Sequence, residues 1–378
     1  MLCFDLSAAA HERAGLGRYA ASLARALLDL GVPLTAFVND PRENGLTAPL
    51  RDLPTLTANA PRKRWRLRAA LSYFGGPGLR QMFPEVSVFH ATEHLLPLIP
   101  QARSVFTLHD TAYLSFPRYH LWQNRLYLRL MMPRFLARAD HIICVSESTR
   151  REALERYALD AGKVSVIAEG VAPHFQPLTD VAQLDLVRRK YKLPARFILC
   201  VGTIEPRKNL ITLLEAYAVL RHSLPEVGLV IAGGKGWLYE AFFSRLRTLG
   251  LEPHVTLAGF VPEADLPALL SCAEVFAYPS VFEGFGLPPL EAMACGVPVV
   301  VSRASSLPEV VGEAGLLIEP TEVRAWVEAL SGVLLDADLH ADLRERGRRR
   351  AALFTWEAAA RQTLAVYRSL DPALKSGL

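Results

Sequence analysis

Glu283-Gly-Phe-Gly-Leu-Pro-Pro-Leu-Glu291, continued by Ala-Met-Ala-Cys-Gly-Val-Pro-Val-Val-Val-Ser302, decides the reading of this chain. Its two end carboxylates stand eight positions apart. Between them, Gly284 and Gly286 can present backbone N–H groups with no Cβ in the way. Pro288 and Pro289 suit a first helical turn, where a missing N–H costs nothing. This places Glu291 in or near that first turn, and a strand over Val297–Ser302 follows. A helix start that is glycine-lined and flanked by acids can hold an anion and a hydroxylated group together. A nucleotide sugar offers both.

Working outward, short apolar runs alternate with helical patterns. Strands are expected at Cys3–Leu6, Leu34–Val38, Val86–His90, Val105–His109, His141–Val145 and Val164–Ala168. In the second half they are expected at Phe197–Thr203, Gly228–Ala232, Val255–Ala258, Val275–Tyr278, Val297–Ser302 and Gly315–Ile318. Helices fall between them, for example at Gly17–Leu30, Leu121–Ala139, Asn209–Arg221 and Pro288–Ala294. Such alternation predicts an α/β chain of parallel sheets covered on both faces. The expectation is two doubly wound Rossmann-like domains, 1–178 and 179–354, facing a cleft and joined by a linker at Pro173–Asp185. A last helix, from Thr355 as N-cap to about Leu370, is expected to bring 355–378 back onto the first domain.

At 378 residues the chain is long enough for two ordinary domains. No apolar run approaches the roughly 20 residues that span a bilayer. The start, Met-Leu-Cys-Phe-Asp-Leu, lacks the regions of a signal peptide, and five cysteines without a CxxC pair read as buried thiols, so a cytoplasmic location is expected. Charge is uneven: residues 1–178 carry a net +6 and residues 179–378 a net −2. The halves should therefore meet different partners. The segment Arg62-Lys-Arg-Trp-Arg-Leu-Arg68 reads either as contact with an anionic membrane surface or as a solvated basic loop or helix face. No nucleic-acid partner is expected.

Several further motifs lie at predicted strand ends. In Val201-Gly-Thr-Ile-Glu-Pro-Arg207-Lys208-Asn209 a strand ends at Thr203 and a helix opens near Asn209. That puts Arg207 and Lys208 at a helix start, able to neutralise a diphosphate without a metal, or else as solvated charges there. Gly15-Leu-Gly17-Arg-Tyr-Ala20 looks like a dinucleotide fingerprint, but eight residues separate Leu6 from Gly15, and the fingerprint needs its first glycine directly after the strand. A longer glycine loop fits better. Thr107-Leu-His109-Asp110 could orient a hydroxyl or accept a proton, or be a capped loop histidine. Ala232-Gly233-Gly234-Lys235-Gly236 brings backbone close to a ligand or is a plain turn. Asp336-Ala-Asp338 imitates a metal-binding pair, but helix capping explains it better. The histidines show no metal-ligand spacing.

Taken together these residues resemble the GT-B glycosyltransferases of the large retaining group 1 family, also called family 4. The resemblance covers nearly the whole chain: Gly15–Tyr19, His109–Asp110, Val145-Ser-Glu-Ser148, Gly202–Asn209, Gly233–Gly234 and Glu283–Ser302. With Ser305-Ser306-Leu-Pro-Glu309, the chain is similar to bacterial transferases that build O-antigen, capsule or related glycans, many of which use GDP-mannose. The resemblance implies an acceptor-binding first domain and a nucleotide-sugar-binding second domain. It implies that Arg207 and Lys208 hold the diphosphate, that Glu291 takes the ribose hydroxyls, and that Glu283 lies by the donor sugar. Phe285, Gly286 and Leu287 would face sugar or phosphate. Gly15 and Gly17 would let the first domain approach the diphosphate, and His109 would line the acceptor side. Many relatives carry arginine where Thr203 stands, so Thr203 would shift phosphate binding onto Arg207 and Lys208.

The expected reaction is transfer of a hexosyl unit, mannosyl favoured, from a nucleotide diphosphate sugar to a glycan or lipid-linked hydroxyl acceptor. Retention at the anomeric carbon, no metal cofactor and peripheral contact with the inner membrane face are expected. Rival classes are a non-hydrolysing nucleotide-sugar epimerase of the same architecture, a nicotinamide oxidoreductase suggested only by Gly15–Ala20, and a catalytically idle scaffold.

Overall fold

The structure is a computed structural model that describes residues 1–11, 14–43, 45–76, 79–119 and 121–375. The chain divides into two compact units. One comprises Met1–Leu114, Trp122–Gly170 and Thr355–Leu378; the other comprises Ser115–Leu121 and Val171–Phe354.

Among the described residues, the first unit holds seven strands: β1 (Leu2–Asp5), β2 (Thr35–Val38), β3 (Thr55–Thr57), β4 (Val88–Ala91), β5 (Arg103–Leu108), β6 (His141–Cys144) and β7 (Val164–Val166). They pair in the order β3-β2-β1-β4-β5-β6-β7, every pair parallel. The second unit holds β8 (Arg196–Val201), β9 (Val227–Ala232), β10 (Val255–Gly259), β11 (Val275–Tyr278), β12 (Val299–Ser302) and β13 (Leu316–Ile318). Their order is β10-β9-β8-β11-β12-β13, again all parallel. Strands such as Val299-Val-Val-Ser302 are wholly buried, as a sheet covered on both faces requires. In each unit the chain runs outward to one edge and then returns past its first strand. The order therefore reverses between β1 and β4, and between β8 and β11. Open α/β sheets bind ligands at the carboxyl ends of strands flanking such a reversal.

The strands expected from sequence are present within a few residues. The exception is β3, a half-buried three-residue edge strand with no apolar run to announce it. The basic segment Arg62–Arg68 is part of a helix, Arg62–Leu71, that buries Trp65 and Ala69 one turn apart and turns its cations outward. Trp65 joins Phe37, Phe83, Phe89, Phe106 and Phe135 in the first unit's core.

The unit boundary falls after Gly170 rather than after residue 178. Val171 N–H donates to Phe354 O (3.0 Å) and Leu178 N–H to Ser271 Oγ (3.0 Å), which ties this stretch to the second unit. The expected linker also ends early: Asp180 caps a helix over Val181–Tyr191, its carboxylate accepting from Ala182 N–H. Thr355 caps the last helix, Trp356–Leu370, which buries Trp356, Ala360 and Tyr367 in the first unit. Asp336 caps the helix Ala337–Ala351. All five cysteines are buried thiols. Among the described residues, no helix is long and apolar enough to cross a membrane.

Candidate active site

The loops that leave β8 and β11, on either side of the second sheet's reversal, carry the charged residues. After β8 the chain passes Gly202 and Thr203 into a single 3-10 turn, Pro206–Lys208. Asn209 then adopts a left-handed conformation (φ 52°), and the α-helix Leu210–Leu220 begins after it. Arg207 and Lys208 thus precede the helix rather than opening it, and their side chains turn toward the end of β11. Asn209 fixes the corner by donating from Nδ2 to Pro279 O (3.2 Å) and Pro320 O (2.7 Å).

Glu283 is where these loops converge. Arg207 Nη1 donates to its Oε2 and Lys208 Nζ to its Oε1, each at 2.7 Å. Arg207 Nη2 also meets Glu205 Oε1 at 2.8 Å, and Arg207 Nη1 reaches Phe282 O at 2.7 Å. Lys208 Nζ donates a second bond to the Tyr278 hydroxyl at 2.6 Å. Two cations and two carboxylates therefore balance in a nearly dry cluster. Burial pushes the Glu283 carboxyl up, but the Arg207 and Lys208 charges outweigh it and hold it at about 2. For Lys208 burial dominates: it lowers the ammonium, Glu283 raises it, Arg207 lowers it again, and the net direction is down. Glu283 faces two opposite charges, whereas Lys208 shares its one carboxylate with a like charge; that asymmetry separates the partners.

Backbone bonds make the cluster rigid. Val281 N–H and the Ser280 hydroxyl both donate to Arg207 O (2.9 and 3.1 Å). Glu283 N–H donates to Ser305 Oγ (2.7 Å), and the Ser306 hydroxyl donates to Glu283 O (2.9 Å) and Phe285 O (2.6 Å). The loop after β12 thus clamps the loop after β11. Glu205, Tyr278, Ser280, Ser305 and Ser306 had no role assigned from sequence. Ser305-Ser306 was visible as a motif, but its contacts span more than twenty residues.

The helix over Leu287–Ala294 has Gly286 as its N-cap residue, at φ 126°, where a side chain would be strained. Pro288 and Pro289 occupy the first turn as expected. Glu291, expected in or near that turn, lies just past it and is 4% exposed. Phe285 is buried, its ring edge-on to Phe354 at 5.8 Å. The Gly233 loop packs on the Thr203 loop, Ile204 N–H donating to Gly234 O (2.9 Å). A Cβ on Gly233 would stand 2.0 Å from Gly202 O, so close backbone approach accounts for that glycine.

The first unit carries the remaining expected residues. His109 follows β5, its Nε2 2.9 Å from Thr92 O and its Nδ1 3.5 Å from Glu169 Oε1; the Tyr19 ring stands edge-on at 4.7 Å. Glu169 was not anticipated. Asp110 Oδ1 accepts from Ala112 N–H, at the start of the short helix Ala112–Ser115. Gly15 and Gly17 lie not in a loop but in the first turns of the helix Ala14–Asp29. At Gly17 a Cβ would come within 2.8 Å of Ala8 O, so close packing holds it. Among the described residues, no three His, Cys, Asp or Glu side chains are grouped to hold a metal ion.

The chain matches two families: "Glycosyl transferases group 1" over residues 186–350 and "Glycosyltransferase Family 4" over residues 13–175. O-antigen chain mannosyltransferase B of Escherichia coli is 34% identical over 285 residues, 75% of this chain and 74% of that protein. Among solved structures, sucrose-phosphate synthase from Thermosynechococcus elongatus superposes with a TM-score of 0.79 at 24% identity, over 99% of this chain and 100% of that one. Anabaena HepE, in complex with UDP and glucose, superposes with a TM-score of 0.76 at 20% identity, over 97% and 99%. At these identities the two structures speak to fold, and the fold is GT-B. The family matches place the chain with transferases rather than with the epimerase kept as an alternative. On these matches the chain belongs to the group 1, family 4 glycosyltransferases and is a sugar-transferring enzyme.

Proposed function

We propose that this enzyme moves a hexosyl unit, mannosyl favoured, from a nucleotide diphosphate sugar to a hydroxyl of a glycan or lipid-linked acceptor, with retention at the anomeric carbon. The observation that carries the reading is Glu283 held by both Arg207 and Lys208 at the strand-order reversal. GDP-mannose is the favoured donor, in line with the O-antigen mannosyltransferase relative. The work is cytoplasmic, where nucleotide sugars are made.

The chemistry rests on preorganisation. When the sugar leaves, negative charge builds on the nucleoside diphosphate. Arg207 and Lys208 are held in place before that happens, so little reorganisation is needed as the charge develops. Lys208 spends two of its three N–H groups on Tyr278 and Glu283. The third is left for a phosphate oxygen. Backbone N–H groups at Phe285–Leu287, at the positive end of a helix, add to the anion site. Glu283, kept ionised by its two cations, lies by the donor sugar and can stabilise positive charge at the reacting carbon. Glu291 takes the ribose hydroxyls. Thr203 and Gly233 line the donor side; Gly15, Gly17 and His109 belong to the side that meets diphosphate and acceptor. With fixed cations in this role, no divalent metal is required.

A thermal-shift panel of GDP, UDP, dTDP and ADP sugars, run in excess EDTA, tests this reading. A donor present at 100 times its Kd stabilises the fold by about 2.7 kcal/mol. The expected result is a strong shift with GDP-mannose and transfer that persists in EDTA. No shift with any nucleotide sugar, or transfer that needs added Mg²⁺, would overturn it.

A further inference from the structure

The helices Arg62–Leu71 and Trp122–Arg138 carry nine Lys or Arg between them and no Asp or Glu. The second helix is apolar on two sides. Met131, Met132 and Phe135 lie in the first unit's core. On the outside, Trp122, Leu126 and Leu130 follow one another at one-turn spacing, 65%, 60% and 48% exposed. A surface helix ordinarily turns polar residues that way. On the other helix Leu67 and Leu71, with Phe74 just beyond, are exposed in the same manner.

The two helices are neighbours. Arg66 Nη2 donates to Asn124 Oδ1 (3.0 Å), and the Arg66 guanidinium lies 3.9 Å over the Tyr127 ring. Arg134 Nη1 donates to Leu130 O (2.6 Å) while its guanidinium lies 4.7 Å over the Phe74 ring, so the ends of the two apolar rows meet there. Arg62, Lys63, Arg64, Arg68 and Arg129 are exposed around them. Six large apolar side chains on adjoining helices are more than a monomeric soluble surface ordinarily exposes in one place.

We propose that this face docks on an anionic lipid bilayer, with Trp122, Leu126 and Leu130 entering the headgroup–acyl boundary and the surrounding cations meeting lipid phosphates. Charge selects the occupant: apolar rows on two helices that carry cations and no acid of their own complement an anionic headgroup layer. A second copy of the chain would instead set the exposed Arg62, Lys63, Arg64, Arg68 and Arg129 against the same cations. The proposal draws its purpose from the lipid-linked acceptor proposed above. Docking is read without turnover, so the failure of one does not entail the failure of the other.

The test is co-sedimentation of the full chain with vesicles of phosphatidylcholine alone or with added phosphatidylglycerol. The expected result is binding to the anionic vesicles, about tenfold or more above the neutral ones and weakened by salt. Leu126→Asp with Leu130→Asp should cut that binding about tenfold or more with the melting temperature unchanged, because both side chains are exposed. A blue shift of tryptophan fluorescence on anionic vesicles, absent in Trp122→Phe, reads the same contact without the double variant. Wild-type failure to bind anionic vesicles, or undiminished binding by the double variant, overturns the proposal. So does a concentration-dependent dimer that the double variant abolishes, which would assign the face to a second copy.

Discussion

Two sets of polar side chains lie almost out of water at the ends of the strands, one in each unit, and they are built differently. In the first unit Tyr19 OH meets Thr107 Oγ1 (3.0 Å), His90 Nε2 meets the same hydroxyl (2.7 Å), and His90 Nδ1 meets Tyr367 OH (2.5 Å). Burial pushes His90 down to about 3, with His109 and His141 adding to the effect, so the network is neutral. It ties the last helix to β4 and β5. In the second unit Arg207 pairs with Glu205 and Glu283, and Lys208 pairs with Glu283, so opposite charges face one another. A neutral network can lose a member and leave only an unmet hydrogen bond. A charged cluster that loses one leaves a bare buried ion. The first is an attachment; in the function proposed above, the second holds charge in readiness for chemistry.

Glu283→Ala should break that distinction most severely if it is wrong. Removing Glu283 leaves Arg207 paired with Glu205 alone and Lys208 without its carboxylate, which is expected to cost about 3–5 kcal/mol in chemical denaturation. Among molecules that still fold, transfer should fall by about 100-fold or more. A mild loss in both would mean that the cluster is not compensated as described.

Acid should separate the two networks next. In the unfolded chain His90 titrates near 6.5, but its buried ring resists protonation down to about 3. Stability should therefore fall as pH drops below 6.5, by up to about 1.4 kcal/mol per pH unit. Glu283 behaves differently: its contribution is full above its ordinary 4.5 and is lost as pH falls toward about 2. Denaturation midpoints measured against pH should show a shallower fall between 6.5 and 4.5 in His90→Asn than in wild type. Identical slopes would remove His90 from the account.

Tyr367→Phe should have the smallest effect and sharpen the contrast. Loss of one buried hydrogen bond is expected to cost about 1–2 kcal/mol. Turnover of the folded enzyme should stay near that of wild type. A large loss of turnover at unchanged stability would give the first network a part in the reaction.

The fold was legible because parallel strands buried on both faces are apolar runs, and runs such as Val275–Tyr278 and Val299–Ser302 cannot be placed elsewhere. The helix start at Gly286-Leu-Pro-Pro was legible for local reasons, since φ preference and a missing N–H act within one turn. The edge strand Thr55–Thr57 was not legible, because its neighbour and not its composition makes it a strand. Nor was the start of the helix at Ala14, which takes Gly15 and Gly17 out of any loop; close packing of Gly17 on Ala8 favours it there.

By itself, then, the sequence determined the α/β class, the two units, the glycine-lined helix start and the residue types of a charged site. Only the tertiary structure decided how that site is wired. Glu283 and Lys208 lie 75 positions apart and meet because β8 and β11 are neighbours in the sheet. Arg207, Lys208 and Glu283 read from sequence as separate binders of phosphate and sugar; folded, they form one compensated cluster, closed by Glu205, Tyr278, Ser305 and Ser306. Hydrogen bonds and ion pairs act over a few ångströms of space, and sequence distance carries no record of them.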